Sequence, residues 1–302
     1  MIEKYYSEIA LNNLIQDSSL KQIHSGIEKY TNDYFNFDFD PSNPVVRLHE
    51  PTFGADEIKA AVNTLLSTKV TSGKSVIEFE ESFSKKVNLN QCISSNSGSS
   101  ANLLAVSSIC NPDYKYHLKE GDEVIVSALS WSTTVWPLIQ NKLIPVIVDI
   151  DLDTLNISIE EVKKPINPKT KAIMPVHVYG NPCNMSELIS ICKENNLVLI
   201  EDCCEALGAE YDNEPVGTLG SVGTFSFYFS HHITTLEGGI TVTDDDNLAE
   251  LMRIIRAHGW VRDMKNSKIY SDKFRDFDER FLFVNLGYNL RLTELQANFG
   301  LN

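Results

Sequence analysis

The residues best suited to moving a proton are His231 and His232, which close the run Gly223-Thr-Phe-Ser-Phe-Tyr-Phe-Ser-His-His and precede Glu237-Gly-Gly239. Imidazole titrates near neutrality, so one such group can both take and return a proton. Paired histidines at a strand end are equally compatible with satisfied core or surface side chains. Asp202, in Leu197-Val-Leu-Ile-Glu-Asp-Cys-Cys-Glu205, closes an apolar run. A carboxylate there is costly to bury unless something pairs with it. The plainer alternative is that Asp202 and Glu205 cap a following helix. Asn96-Ser-Gly98-Ser99-Ser-Ala-Asn102 is a small polar turn opening a helix. Free N–H groups and the positive end of the dipole favour a phosphate there, although the same letters make an ordinary N-cap. Trp131, in Ser-Trp-Ser-Thr-Thr134, offers a stacking face or simple packing. Late in the chain, Arg256-Ala-His258-Gly-Trp-Val-Arg262 and Gly287-Tyr-Asn289-Leu-Arg291 gather groups able to bind a diphosphate or sugar, or merely to solvate a surface.

Positioning these groups calls for a regular scaffold. Phe225, Phe227 and Phe229 alternate with polar or amphipathic residues, the period of a half-buried strand over 224–229. Further strands are expected at Glu123–Ser127, Pro145–Asp149, Ala172–His177 and Val198–Glu201. Helices are expected at Ser99–Ser108, Thr134–Gln140, Ile159–Lys164 and Ser186–Asn195, with capping-box spacing at Ser158-x-x-Glu161 and Asn184-x-x-Glu187. Strand-helix alternation predicts an α/β fold, a mostly parallel sheet with helices on both faces. Ligands then bind beyond the carboxyl ends of the strands. Upstream, Ala55–Leu66 reads as an amphipathic helix carrying Ile58, Ala61, Val62, Leu65 and Leu66 on one face. A second helix carries Val76, Phe79, Phe83 and Val87. Residues 1–45 read as an N-terminal extension, a helix or two ending in the turn-rich Asp38–Pro44, suited to a docking arm.

Net charge is −15, which argues against nucleic acid or an anionic membrane as partner. No apolar run approaches the roughly 18 residues that span a bilayer, and the first residues lack a signal peptide's pattern, so a cytoplasmic protein is expected. Six cysteines lack C-x-x-C spacing and read as reduced, mostly buried thiols. No metal site is expected.

From about Leu48 to Gly300 these motifs resemble, in order, the nucleotide-sugar aminotransferases of DegT/StrS type. His231-His-Ile-Thr-Thr-x-Glu-Gly-Gly239 resembles the family's dehydratase branch, which deoxygenates C3 of 4-keto-6-deoxy sugars. Arg256-Ala-His-Gly-Trp with Arg262 is similar to the members acting on GDP-linked 4-keto-6-deoxymannose. The resemblance implies a pyridoxal phosphate-dependent transferase fold of type I, with a large domain over 46–250 and the start of a small C-terminal domain over 251–302 that looks truncated. In most relatives a lysine forms an imine with the cofactor. His231 stands in that place, and no lysine occurs between Lys193 and Lys265.

The resemblance therefore implies pyridoxal 5'-phosphate, or its pyridoxamine form, held without a covalent bond. Gly98, Ser99 and Ser226 would cradle the phosphate, Trp131 would stack on the ring, Asp202 would meet the ring nitrogen and Glu205 the phenolic oxygen. Asn289 would reach the phosphate of a neighbouring subunit, making a homodimer with shared active sites. His258 and Arg262 would bind substrate. The implied reaction condenses the amine form, replenished by an amino donor such as L-glutamate, with the sugar's C4 ketone. His231 removes a methylene proton and protonates the departing C3 hydroxyl, His232 being the lesser candidate, and hydrolysis releases a 3-deoxy keto sugar and ammonia. An anionic nucleotide sugar calls for a locally basic pocket. Two alternatives stay open: an iron–sulfur CDP-4-keto-6-deoxyglucose dehydratase, disfavoured because no cysteine follows Cys204, and an inactive cofactor-binding or dimerising relic.

Overall fold

The computed structural model describes residues 18–35, 37–47 and 49–302. Chain order begins with helices α1 (Ser18–Tyr34), α2 (Ala55–Leu66) and α3 (Lys74–Val87), then strand β1 (Gln91–Ser95). There follow α4 (Gly98–Ile109), β2 (Glu123–Ser127), α5 (Ser132–Gln140), β3 (Ile144–Val148), α6 (Ile159–Lys163) and β4 (Thr170–Met174). Next come α7 (Met185–Asn195), β5 (Val198–Asp202), the short hairpin β6 (Glu210–Tyr211) and β7 (Glu214–Pro215), β8 (Val222–Ser226) and β9 (Gly239–Thr243). The chain continues through α8 (Asp246–Arg256), α9 (Lys268–Ser271) and α10 (Glu294–Gly300). Whatever was expected before Ser18 lies outside the described residues.

Seven strands form one sheet in the order β1-β9-β8-β5-β4-β2-β3. β8, β5, β4, β2 and β3 run parallel, whereas β9 is antiparallel to both β8 and β1. The parallel pairs need helical crossovers, and the antiparallel pair does not. The β8–β9 connection, 227–238, therefore stays at the carboxyl edge of the sheet. That reversal holds His231 beside the strand ends.

Alternate side chains of each strand enter different cores. Val124 and Val126 pack with Leu104, Leu138 and Met252 of α4, α5 and α8, while Ile125 packs with Met185 and Leu188 of α7. A third cluster joins Phe225 and Phe227 to Phe79 and Phe83 of α3, with ring centroids 5.3–5.6 Å apart, edge to face. Helices thus cover both faces, as the strand-helix alternation predicts. Among the described residues no helix is long and apolar enough to cross a membrane.

Three expectations need correcting. The histidine strand ends at Ser226, and all five of its residues are buried, so it is a central strand and not a half-buried one; α4 covers one face and α3 the other. The apolar face of α2 is not sunk in this chain: Leu65 and Leu66 are exposed, and its one buried residue is Thr64. Ser158 and Asn184 do accept the N3 amides, but the full capping box forms elsewhere, at Thr293/Gln296, while at Gly54 only the Glu57 half is made, the Gly54 amide donating to its carboxylate at 2.7 Å. β1, β9 and α8 are additional to the expected elements.

Candidate active site

The carboxyl edge of the sheet opens into a cavity of about 640 Å³. Gly98 and Ser99 at the start of α4, Trp131 before α5, Asp202 ending β5, Glu205, Ser226 ending β8 and His231 in the β8–β9 connection all line it. Seven residues spread over 134 positions of sequence converge because each follows a strand end or opens the next helix.

Asp202 is 3% exposed, yet its carboxylate is well supplied with donors. Oδ2 accepts from Asn102 Nδ2 at 2.9 Å and Thr134 Oγ1 at 2.8 Å, and Oδ1 accepts from the Cys204 amide at 3.2 Å. Thr224 Oγ1 donates to Asn102 Oδ1 at 2.6 Å, which fixes the amide so that its NH2 faces Asp202. Residues 203–209 form turns, so no helix follows for these acids to cap. Glu205 instead accepts the Tyr179 amide at 3.1 Å. Tyr179 has φ 52°, and its side chain lines the cavity mouth at 78% exposure.

Beneath Asp202 lies a second carboxylate. Glu201, fully buried, accepts from the amides of Gly217 (2.8 Å), Leu219 (2.8 Å) and Gly220 (2.5 Å), and meets His177 Nε2 at 3.2 Å. His177 Nδ1 accepts the Cys183 amide at 3.0 Å, so the ring's hydrogen sits on Nε2 and points to Glu201. Donor atoms of His177, Glu201 and Cys203 lie within 4.8 Å of one another. Hydrogen bonds already occupy the imidazole and the carboxylate, and burial pushes the Cys203 thiol well above its ordinary pKa. This is a structural network that anchors the loop 217–220. Sequence reasoning missed Asn102, Thr134, Thr224, Glu201 and His177; only the adjacency of Glu201 to Asp202 hinted at any of them.

At the other end of the cavity, Ser97 caps α4 by accepting the Ser100 amide at 3.1 Å, and Ser99 Oγ donates to Thr133 Oγ1 at 3.1 Å. A Cβ on Gly98 would stand 2.4 Å from Ser226 Cβ. The close approach of α4 to β8 therefore requires glycine, and it brings the helix start and the Ser226 hydroxyl together.

His231 is half-buried, with its amide donating to Tyr228 O at 2.9 Å. Burial lowers its pKa below the ordinary 6.5, Glu205 pushes it back up, His232 lowers it and Asp202 raises it. Its neutral form, a base, is thus favoured at pH 7. His232 is exposed and does not line the cavity. Cys204 does, but burial and the Asp202 charge push its thiol well up, so it is no nucleophile. Trp131 is 71% exposed, so it is not a packing residue.

One feature departs from expectation. The lining holds Asp202, Glu205 and Glu237 but no lysine or arginine, so within one chain the cavity is not basic. His258, Arg262 and Asn289 lie outside it and are exposed. Arg291 donates to Asn289 Oδ1 at 3.1 Å and approaches His258 Nε2 at 3.3 Å, whereas Arg262 lies 4.9 Å over the Trp260 ring. A flat cationic ring bearing a phosphate fits the cavity: a carboxylate at its base, an exposed indole at its mouth, a helix start beside a hydroxyl.

A family model for the DegT/DnrJ/EryC1/StrS aminotransferases matches residues 51–302. The chain is 43% identical over 256 residues to a GDP-4-keto-6-deoxy-D-mannose 3-dehydratase of Escherichia coli O55:H7, an alignment covering 84% of this chain and 66% of the relative. It thus spans just under two thirds of that relative's length. A solved structure of an E. coli GDP-4-keto-6-deoxy-D-mannose-3-dehydratase with bound hydrated pyridoxal phosphate is 41% identical, with TM-score 0.80, covering 85% of this chain and 66% of that one. Another such dehydratase, with a trapped pyridoxal phosphate–glutamate geminal diamine, is 40% identical with TM-score 0.80, covering 85% and 67%.

Proposed function

The chain belongs to the DegT/DnrJ/EryC1/StrS aminotransferase family, and from that premise we propose that it is built as a 3-dehydratase of a nucleotide-linked 4-keto-6-deoxy sugar. GDP-4-keto-6-deoxy-D-mannose is the favoured substrate and L-glutamate the amino donor, in the cytoplasmic synthesis of deoxysugars for lipopolysaccharide O-antigen. One observation carries the reading: an imidazole and a buried carboxylate face one cavity that, among the described residues, no lysine lines. Transamination through a lysine-bound cofactor has no residue to perform it. The fold, the family and the named relatives support pyridoxal 5'-phosphate as the cofactor, held without a covalent bond.

When bound in its amine form, the cofactor supplies the amino group that meets the C4 ketone and a ring that stores electrons. Asp202 keeps the ring nitrogen protonated, and Asn102 and Thr134 prevent its carboxylate from turning away. Gly98, Ser99 and Ser226 hold the phosphate, Trp131 covers the ring and Glu205 meets the phenolic oxygen. His231 would take the proton at the cofactor's methylene carbon and return one to the C3 hydroxyl as it leaves. One imidazole can serve both transfers because its neutral form is favoured and the proton it takes is then held for the leaving hydroxyl. The missing cationic groups come from a second copy in a homodimer, with Asn289 reaching the neighbouring phosphate and His258 and Arg262 the substrate.

The test incubates purified protein with pyridoxal phosphate and glutamate and follows the absorbance spectrum. Conversion to the amine form, with no cofactor fixed to the chain by borohydride, is expected. His231→Lys should become fixed by borohydride and lose dehydration. Dehydration retained in that variant would remove His231 as the base.

A further inference from the structure

At the opposite edge of the sheet, beside the amino ends of β4, β5 and β8, lies a separate cavity of about 660 Å³. Its charge is the reverse of the carboxyl-edge cavity. Lys115, Lys119, Lys171, Lys193 and His117 line it, and no aspartate or glutamate does, although the chain carries 41 acidic residues against 26 lysines and arginines. Segregation of that kind in an acidic protein concentrates positive potential in a cleft with low-dielectric walls, where it acts on an anion more strongly than on an open surface.

Local pairing accounts for only part of this charge. Lys115 stands 3.7 Å from Asp245, and Lys171 Nζ donates to the Pro168 carbonyl at 2.8 Å. The Lys119 and Lys193 ammonium groups have no partner among the described residues. Like charges gathered around one cavity favour a multiply charged anion there. Lysine, with three rotatable donors on a flexible stem, suits phosphate oxygens as a point charge.

The floor is apolar. Leu118, Cys192 and Leu199 are buried there, with Ile189 and Leu219 beside them, and the Tyr116 ring is 60% exposed at the rim. A bare inorganic anion uses none of that surface. A ligand with charged phosphates at one end and a flat apolar body at the other uses both parts. We infer that this lysine-lined cleft is a second ligand site, for a nucleoside phosphate, whose phosphates meet Lys119 and Lys193 while its base rests on the leucine floor. The site is independent of the proposed dehydratase chemistry. It adjoins that chemistry through β5, whose Val198 and Leu199 line the cleft, and through the loop 217–220, whose Leu219 and Gly220 line it and donate to Glu201, next to Asp202.

Calorimetric titration with adenosine diphosphate at low ionic strength, where charge is least screened, tests the site. Three variants accompany the parent protein: Lys119→Ala/Lys193→Ala in the cleft, Lys69→Ala/Lys273→Ala as a distant control of equal charge, and Trp131→Ala in the other cavity. All five positions are exposed, and thermal unfolding verifies that each variant folds. Saturable binding at one site per chain is expected, weakened by about tenfold per ammonium removed from the cleft and unchanged in the control and in Trp131→Ala. Absence of saturable binding, or equal weakening in the distant control, overturns the site. Loss in Trp131→Ala assigns the nucleotide to the carboxyl-edge cavity and overturns it too. A chain that fails to dehydrate any sugar still binds here, so the two readings fail separately.

Discussion

Replacing Gly98 with alanine tests the geometry of the proposed phosphate cradle directly. In an ordinary helix the change is favourable by about 1 kcal/mol, since alanine is the better helix former. At this helix start the added methyl would stand 2.4 Å from Ser226 Cβ, 2.8 Å from its Oγ and 3.1 Å from Cys204 Sγ. Carbon atoms rest at about 3.5–4.0 Å, so the overlap with Ser226 Cβ exceeds an ångström. No rotamer relieves it, because a Cβ is fixed to its backbone, and Ser226 is paired with Gly239 of β9. Either the start of α4 or the end of β8 must shift. Overpacking of this kind costs roughly 1–3 kcal/mol, which leaves a net loss of up to about 2 kcal/mol after the helix gain. The melting temperature should fall by up to about 4 °C. Pyridoxal phosphate, titrated by its absorbance, should bind about ten- to a hundredfold more weakly, since charge-assisted contacts at the helix start are displaced. Gly98→Ala/Ser226→Gly removes the struck atoms and should regain most of the stability, giving a coupling of about 1 kcal/mol. A single variant as stable as its parent with unchanged cofactor affinity, or strictly additive effects, would refute the cradle.

The lowered pKa of His231 places the acid limb of kcat/KM below 6.5, and Glu205→Gln should move it lower still, because that carboxylate pushes the imidazole up; a limb at or above 6.5 in the parent contradicts this. In stability the sign is the same. Between the unfolded value and the lower folded one the unfolded chain holds more protons, so stability is full above 6.5 and declines as pH falls through that window. His231→Asn should flatten the decline in urea titrations run at successive pH values. Asn102→Asp would set a second carboxylate where an amide now donates to Asp202 at 2.9 Å, and should cost about 3 kcal/mol at pH 7.5. The loss should shrink at acid pH as the pair takes up a proton; an unchanged urea midpoint would remove the network. Glu201→Gln replaces an acceptor oxygen with an NH2 that faces the donors already filling the site, with an expected loss of about 2–4 kcal/mol, read by thermal unfolding. A neutral result there would mean that the loop 217–220 is held by something else.

Local pattern carried a large part of this protein. Apolar runs and helical spacing located β2, α2 and the buried stripe of α3 to the residue, because period and burial are encoded within a few neighbouring positions. Motif order placed seven residues that line one cavity, since in a parallel sheet the turns after the strands all emerge at one edge. Direction and partnership were decided only by the tertiary structure. Nothing in residues 222–243 states that β9 turns back against β8, yet that reversal keeps His231 at the ligand edge and makes β8 a central strand. Asn102, Thr134 and Thr224 lie up to 122 positions apart and become one hydrogen-bonded unit around Asp202 only when packed. Charge was likewise invisible to composition. An acidic chain gathers four lysines at the amino edge and three carboxylates in the cavity opposite, because net charge is a sum over residues whereas a potential depends on where each one stands.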